Sequence, residues 1–264
     1  MRIGFIGCGN MGKAMLRGIL SEKAVKPDQI IAADSSREIL DAAEKELGIQ
    51  TTQDNRKAAA WADILFLAVK PVVLEEVIKG IAPDIQEQTV VVSMAPGRTL
   101  SWLEGCFGRP VRLIRIMPNT PALAGEGMTA LCPNSLTDTD DLWTAEHLMK
   151  SFSRTAVIPE SLMDVATGVS GSSPAYVFMF IEALADAAVL GGMPRKQAYE
   201  FAAQTVLGSA RLMLETGLHP GELKDMVCSP GGTTIEAVRV LEERGFRSAV
   251  IDATRACIDK AGSM

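Results

Sequence analysis

The first twelve residues constrain the fold more than any other stretch of the chain. Arg2-Ile3-Gly4-Phe5-Ile6 is a short, mainly apolar run, suited to a strand buried on both faces. Gly7, Gly9 and Gly12 follow at the G-x-G-x-x-G spacing, and residues 13–20 continue with helical periodicity. Between a strand and a helix each glycine has its own task. Gly7 permits the tight turn, Gly9 lets the backbone approach a pyrophosphate, and Gly12 lets the helix pack close to the strand. The helix start then offers unpaired N–H groups and a partial positive charge to phosphates. A glycine-rich turn without a ligand is the plain alternative; the strand–turn–helix setting makes dinucleotide binding the stronger reading.

A chain of 264 residues can hold one large or two moderate domains. Its formal net charge of −6 leaves no basic surplus to displace counterions from nucleic acid. The sequence has no run of about 18 uncharged apolar residues to cross a bilayer. Strand one begins where a signal peptide would lie, so a cytoplasmic protein is expected. Cys8, Cys106, Cys132, Cys228 and Cys257 are scattered without a C-x-x-C, and His147 and His219 lack metal-ligand spacing. Reduced thiols and no metal site are expected.

Residues 29–33 read as a second strand ending at Asp34. An acidic side chain there accepts hydrogen bonds from an adenosine ribose diol, whereas hydroxyls and arginine suit a 2′-phosphate. Asp34 is followed by Ser35, Ser36 and Arg37, so the signals are mixed, and Ser35 or Ser36 serves equally as N-cap of a helix over 37–47. NADP is favoured, with NAD left open. Further strands are expected over 48–52, 64–69, 89–94 and 111–117, with helices over 55–61 and 71–80, where Pro71 fits the first turn. The ends of strands one, four, five and six then share one edge of a parallel sheet, the place where ligands bind. Small residues there (Gly9, Ala68, Ala95, Gly97) keep the edge open to a flat cofactor. Two more strands, over 128–132 and 155–158, flank a helix over 139–150.

From Met163 onward the pattern is helical, over 173–190, 195–216, 221–228, 234–244 and 246–261. The fold class is therefore α/β plus all-α: a Rossmann-like, mostly parallel doubly wound sheet over residues 1–160, then a helical dimerisation and substrate-binding domain over 161–264. The helix over 173–190 is apolar almost all round and needs burial on most faces. A domain of about 100 residues supplies few neighbours, so a second copy of the chain is expected to cover it. Glu182 and Asp186 on that helix read as a solvated stripe or inter-helix pairing in preference to catalytic carboxylates. Downstream, Thr233-x-x-Glu236 reads as a capping box. The same stretch gathers helix-start N–H groups and the hydroxyls of Ser229, Thr233 and Thr234 beside Gly231 and Gly232, an anion site suited to a small carboxylate.

Five motifs carry a resemblance: Gly7-x-Gly9-x-x-Gly12, Ala68-Val69-Lys70-Pro71, Arg115-x-Met117-Pro118-Asn119-Thr120-Pro121, Gly171-Ser172-Ser173-Pro174-Ala175-Tyr176 and Ser229-Pro230-Gly231-Gly232-Thr233-Thr234-Ile235. In that order, over most of the chain, and with His219-Pro220 and Leu223-Lys224-Asp225 upstream of the last, they resemble the pyrroline-5-carboxylate reductase family. The resemblance implies reduction of the cyclic imine Δ1-pyrroline-5-carboxylate to L-proline by NAD(P)H, with NADPH favoured. It also implies a homodimer with interleaved helical domains, sometimes built into larger rings. Ser229, Thr233 and Thr234 match the positions that hold the substrate, Thr234 being the hydroxyl directed at the ring nitrogen. Gly9, Asn10, Met11, Ser35, Asn55, Ala68, Lys70, Pro71 and Ala95 match cofactor contacts; Gly7, Ser36, Arg37, Val69, Gly97 and Asn119 complete the cofactor-binding candidates. The chain departs from the family pattern at Ser173, where glycine is common, and at Asp34.

Two alternatives differ in testable ways. A β-hydroxyacid dehydrogenase needs a base, usually a lysine on the helix after the dinucleotide domain; after Gly168-Val169-Ser170-Gly171 the first lysine here is Lys196. A non-catalytic NADPH-responsive binding protein would bind the cofactor without oxidising it.

Overall fold

Short apolar runs bounded by glycine, proline or acidic residues pair into one sheet, and the amphipathic segments between them cover its faces. The computed structural model describes residues 1–22 and 25–263. In chain order its first part runs β1 (Ile3–Ile6), α1 (Asn10–Ser21), β2 (Ile30–Ala33), α2 (Arg37–Leu47), β3 (Gln50–Thr52), α3 (Asn55–Trp61), β4 (Ile64–Leu67), α4 (Pro71–Ile81), β5 (Val90–Ser93), α5 (Leu100–Phe107), β6 (Arg112–Met117), β7 (Gly127–Pro133), α6 (Thr139–Met149) and β8 (Ser153–Val157). The strand order is β3-β2-β1-β4-β5-β6-β7-β8. Every pairing is parallel except β6 with β7. The expected strands and the shared edge of β1, β4, β5 and β6 are present.

Because alternate strand residues face opposite sides, two apolar layers form. Phe5 and Phe66 stack at 4.5 Å on one face, in a layer with Met15, Leu16 and Phe152. Ile6, Leu65, Leu67 and Leu74 belong to the other. The sequence reading has no helix between residues 97 and 111, where the structure has α5. Its signal is a cap: the Trp102 N–H donates to Thr99 Oγ1 at 3.1 Å.

The chain divides into two compact units, one of residues 1–172 with the chain's last residues from Cys257, the other Ser173–Ala256. Residues 160–171 pack with the sheet as a 3-10 turn, α7 (Met163–Ala166) and a π turn (Thr167–Gly171), with Met163 fully buried. The second unit holds α8 (Pro174–Leu190), α9 (Arg195–Thr216), α10 (Pro220–Val227), α11 (Thr233–Glu243) and most of α12 (Phe246–Gly262). Asp186 on α8 pairs with Arg195 on α9 at 2.5 Å, the inter-helix pairing expected, and Glu182 is exposed.

On α8 the only buried residue is Ala185, while Phe178 and Met179 are 63% and 68% exposed. The stretch Glu160–Leu190 is long and apolar enough, by length and composition, to cross a membrane. Apolar surface of that extent marks an interaction face. A second copy of the chain covering it predicts a detergent-free solution mass, by multi-angle light scattering, of at least twice 28.2 kDa. A stable monomer that partitions into lipid vesicles would contradict it.

Candidate functional site

Gly7 stands at φ 97°, and a Cβ added there would meet the Ala68 carbonyl oxygen at 2.5 Å. The chain can therefore pass from β1 into α1 under β4 only with glycine at this point. A Cβ on Gly12 would meet Gly7 O at 2.7 Å, so α1 rests directly on the turn. Gly9 differs: an added Cβ would find no protein atom within 4 Å among the described residues. Gly9 is also the N-cap of α1, with no side chain bonded at the cap, so the first amides of the helix face open space. This is the cradle a pyrophosphate fits.

Hydrogen bonds draw the other strand ends into a row beside it. The Ala68 N–H donates to Ile6 O at 2.8 Å, and the Met94 N–H to Leu67 O at 3.4 Å. Asn10, Met11, Val69, Lys70, Pro71, Ala95 and Gly97 follow directly from these strand ends, on one edge of the sheet. Pro71 is the first residue of α4, as expected. Asn55 opens α3, behind the Asp54 cap. Cys8 lies buried inside the turn, and burial pushes its thiol up in pKa, so it packs as a neutral side chain.

Asp34 does not project free into this edge. Its Oδ2 accepts the Cys8 N–H at 2.8 Å and its Oδ1 the Ser36 N–H at 3.0 Å, so the carboxylate clasps the glycine turn to the end of β2. Ser36 is the N-cap of α2, accepting the Ile39 N–H at 3.4 Å. Ser35 and Arg37 remain exposed, Arg37 in an i,i+4 pair with Asp41 at 2.8 Å that costs little to break. Asn119 is buried and largely committed: Oδ1 accepts the Met128 N–H at 2.8 Å and Nδ2 donates to Ser170 O at 3.0 Å.

In the second unit, the capping-box reading of Thr233 and Glu236 is corrected. The N-cap of α11 is Gly232, no side chain caps it, and Thr233 is the first helical residue. Glu236 is turned to Arg239 instead, at 2.9 Å, and that guanidinium holds its carboxyl below the usual range. The turn closes with Gly232 N–H donating to Ser229 O at 3.1 Å, and Gly231 adopts φ 69°. A Cβ on Gly232 would meet Ser229 Oγ at 2.4 Å, so glycine is what lets that hydroxyl sit over the helix start. Ser229, Gly231, Gly232, Thr233 and Thr234 are thus one local cluster around open amides. His219, singled out only as part of a motif, caps α10 by accepting the Gly221 N–H on Nδ1 at 3.0 Å. Among the described residues no group of three His, Cys, Asp or Glu side chains is placed to hold a metal ion.

A family model described as pyrroline-5-carboxylate reductase dimerisation matches residues 160–264, and one described as NADP oxidoreductase, coenzyme F420-dependent, matches residues 2–97. The chain is 53% identical over 260 residues to the pyrroline-5-carboxylate reductase of Escherichia coli (strain K12), covering 98% of this chain and 97% of that one. It superimposes on a pyrroline-5-carboxylate reductase from Coxiella burnetii with TM-score 0.93 at 36% identity, covering 99% and 97% of the two chains. A pyrroline carboxylate reductase from Plasmodium falciparum, solved with NADP bound, matches with TM-score 0.90 at 31% identity over 100% of this chain and 97% of that one.

The two glycines of the first turn differ in a measurable way. Gly9→Val fills the open cradle and is expected to abolish dinucleotide binding in a fluorescence titration while leaving the thermal midpoint near that of the parent. Gly7→Val, strained by both φ and contact, is expected to destabilise by about 1–3 kcal/mol or more. Tight binding by Gly9→Val would move the phosphates elsewhere.

Proposed function

The chain belongs to the pyrroline-5-carboxylate reductase family, and from that membership we propose that it reduces Δ1-pyrroline-5-carboxylate to L-proline as an NAD(P)H-dependent oxidoreductase acting on a C=N bond. The observation that carries this reading to particular residues is the start of α11: a glycine N-cap without a side-chain cap, with the Ser229 hydroxyl against it and two threonines next in the chain. A small anion is what such a start lacks.

The substrate carboxylate is assigned to the Thr233 and Thr234 amides with the Ser229 and Thr233 hydroxyls. The dinucleotide is assigned to the turn of Gly7, Gly9, Asn10 and Met11 and to the strand-end residues Ala68 to Pro71, Ala95 and Gly97, with Asn55 and Asn119 at the margins. When bound there, the reduced nicotinamide supplies a hydride. The protein's own task is modest, because a protonated cyclic imine already has an electrophilic carbon. What it needs is alignment, for which effective molarities reach about 10⁵–10⁸ M. Thr234 is a weak acid, so its hydroxyl orients the ring nitrogen and relays a proton from water. Glu236, kept ionised by Arg239, is not the donor.

NADPH is favoured over NADH because Asp34 already spends an acceptor site of each oxygen on a backbone N–H, while Ser35 is exposed and Arg37, held only by its surface pair with Asp41, can turn to a 2′-phosphate. The further assignments are a functional boundary near residue 160, a cytoplasmic homodimer through the helical domain, and assembly of dimers into a ring.

One steady-state experiment tests the reading. The parent enzyme is expected to oxidise NADPH only when the imine is present, with a higher kcat/KM than for NADH. Thr234→Ala is expected to lose at least about tenfold in kcat with its fold intact. Near-normal turnover of that variant would remove Thr234 from the mechanism, and cofactor binding without oxidation would remove the activity.

A further inference from the structure

Arg115 breaks an otherwise apolar strand. It lies on β6 between Ile114 and Ile116, on the sheet face that buries Leu113, Met117, Cys132 and Met163, and its side chain is only 3% exposed. A buried guanidinium is tolerated only when paired. Its partners lie far along the chain: Glu160 Oε1 at 3.2 Å and Asp164 Oδ1 at 3.4 Å.

Glu160 has a second contact, through the same oxygen. Oε1 accepts the Leu100 backbone N–H at 2.6 Å. Leu100 is the first residue of α5, whose N–H has no partner within its own helix. Thr99 Oγ1, the ordinary cap, takes the Trp102 N–H instead. Glu160 is therefore an external cap on α5, reaching it from 60 residues away. The consequence lies upstream of Leu100. Residues 95–99 form the turn between β5 and α5, and they include Ala95 and Gly97 of the cofactor edge. The entrance of that turn is tied to β6, since Ser93 is the ladder partner of Arg115. Its exit is tied to Glu160, which Arg115 holds. Arg115 is thus linked to both ends, to the entrance by its backbone register with Ser93 and to the exit by its guanidinium through Glu160.

We propose that Glu160 is a positioning residue for the cofactor edge: anchored by Arg115, it holds the exit of the 95–99 turn so that Ala95 and Gly97 are set for the dinucleotide. This rests on the NAD(P)H reductase reading. It differs from a general structural role because Asp164 shares the same arginine but does not touch the turn.

Four variants separate the roles, each followed by NADPH fluorescence titration, steady-state kinetics and thermal unfolding. Glu160→Ala is expected to raise the Kd and KM for NADPH about tenfold, the scale of one lost charge-assisted hydrogen bond, with the KM for the imine and kcat little changed. Glu160→Asp, which keeps the charge but shortens the reach, is expected to do the same and serves if the alanine variant fails to fold. Glu160→Gln keeps an oxygen for Leu100 N–H and is expected to restore NADPH affinity to within about twofold of the parent. Asp164→Asn is expected to lower the thermal midpoint without moving the NADPH Kd. A lower midpoint but unchanged Kd in Glu160→Ala and Glu160→Asp would overturn the proposal, as would an equal loss in Glu160→Gln. Failure of the parent protein to bind NADPH would instead overturn the reductase reading beneath it.

Discussion

The cofactor edge depends on one steric fact: between β1 and α1 the backbone passes so close to the Ala68 carbonyl that the residue there can have no side chain. Gly7 sits 2.5 Å, measured from a hypothetical Cβ, from that oxygen, at a φ of 97°. From this contact the rest follows in order. α1 starts at once and packs on the turn through Gly12, its first amides point off the sheet edge, and Gly9 leaves space in front of them. Asp34 then fastens the turn from the other side through Cys8 N–H. A residue that elsewhere would be read as a ribose ligand is here part of the frame.

The second unit repeats the logic on a smaller scale. Four helices of the first unit are capped by the side chain at their N-cap: Ser36 on α2, Asp54 on α3, Thr99 on α5 and Asp138 on α6. α1 and α11 begin instead on glycine caps without a side-chain bond. Forgoing a cap costs about 1 kcal/mol per helix, which an anion recovers when it binds. The helical unit has a second debt: with α8 largely exposed in a single chain, its stability is linked by mass action to association with another copy. Folding and dimerisation of the helical unit are in that sense one equilibrium.

Much of this was legible in the residues. The glycine spacing and the buried runs of β1, β4 and β5 specify the sheet, because both signals act over a few neighbouring positions. The apolar helix of residues 174–190 likewise announces that one chain is not enough. The losses have a common cause. α5 is eight residues long and is held partly by Glu160, a contact spanning 60 positions that no local pattern reveals. The start of α11 was misread by a single residue: a Thr-x-x-Glu spacing fits a capping box, but the preceding glycine takes the cap position and Glu236 pairs along the helix with Arg239. Asn119 shows a third limit, since a polar residue in a motif looks available until its amide is found bridging β7 and the π turn.

The central claim is that the open amides at the start of α11 hold the carboxylate of the five-membered ring. Its most direct test is a backbone-amide NMR titration of the NADP-saturated protein with L-proline and, in parallel, with L-prolinamide, which keeps the ring and loses the negative charge. Saturable shifts of the Thr233 and Thr234 amides with proline and none with the amide are predicted. Shifts of equal size with both ligands, or proline binding that leaves these two amides unmoved, would contradict it.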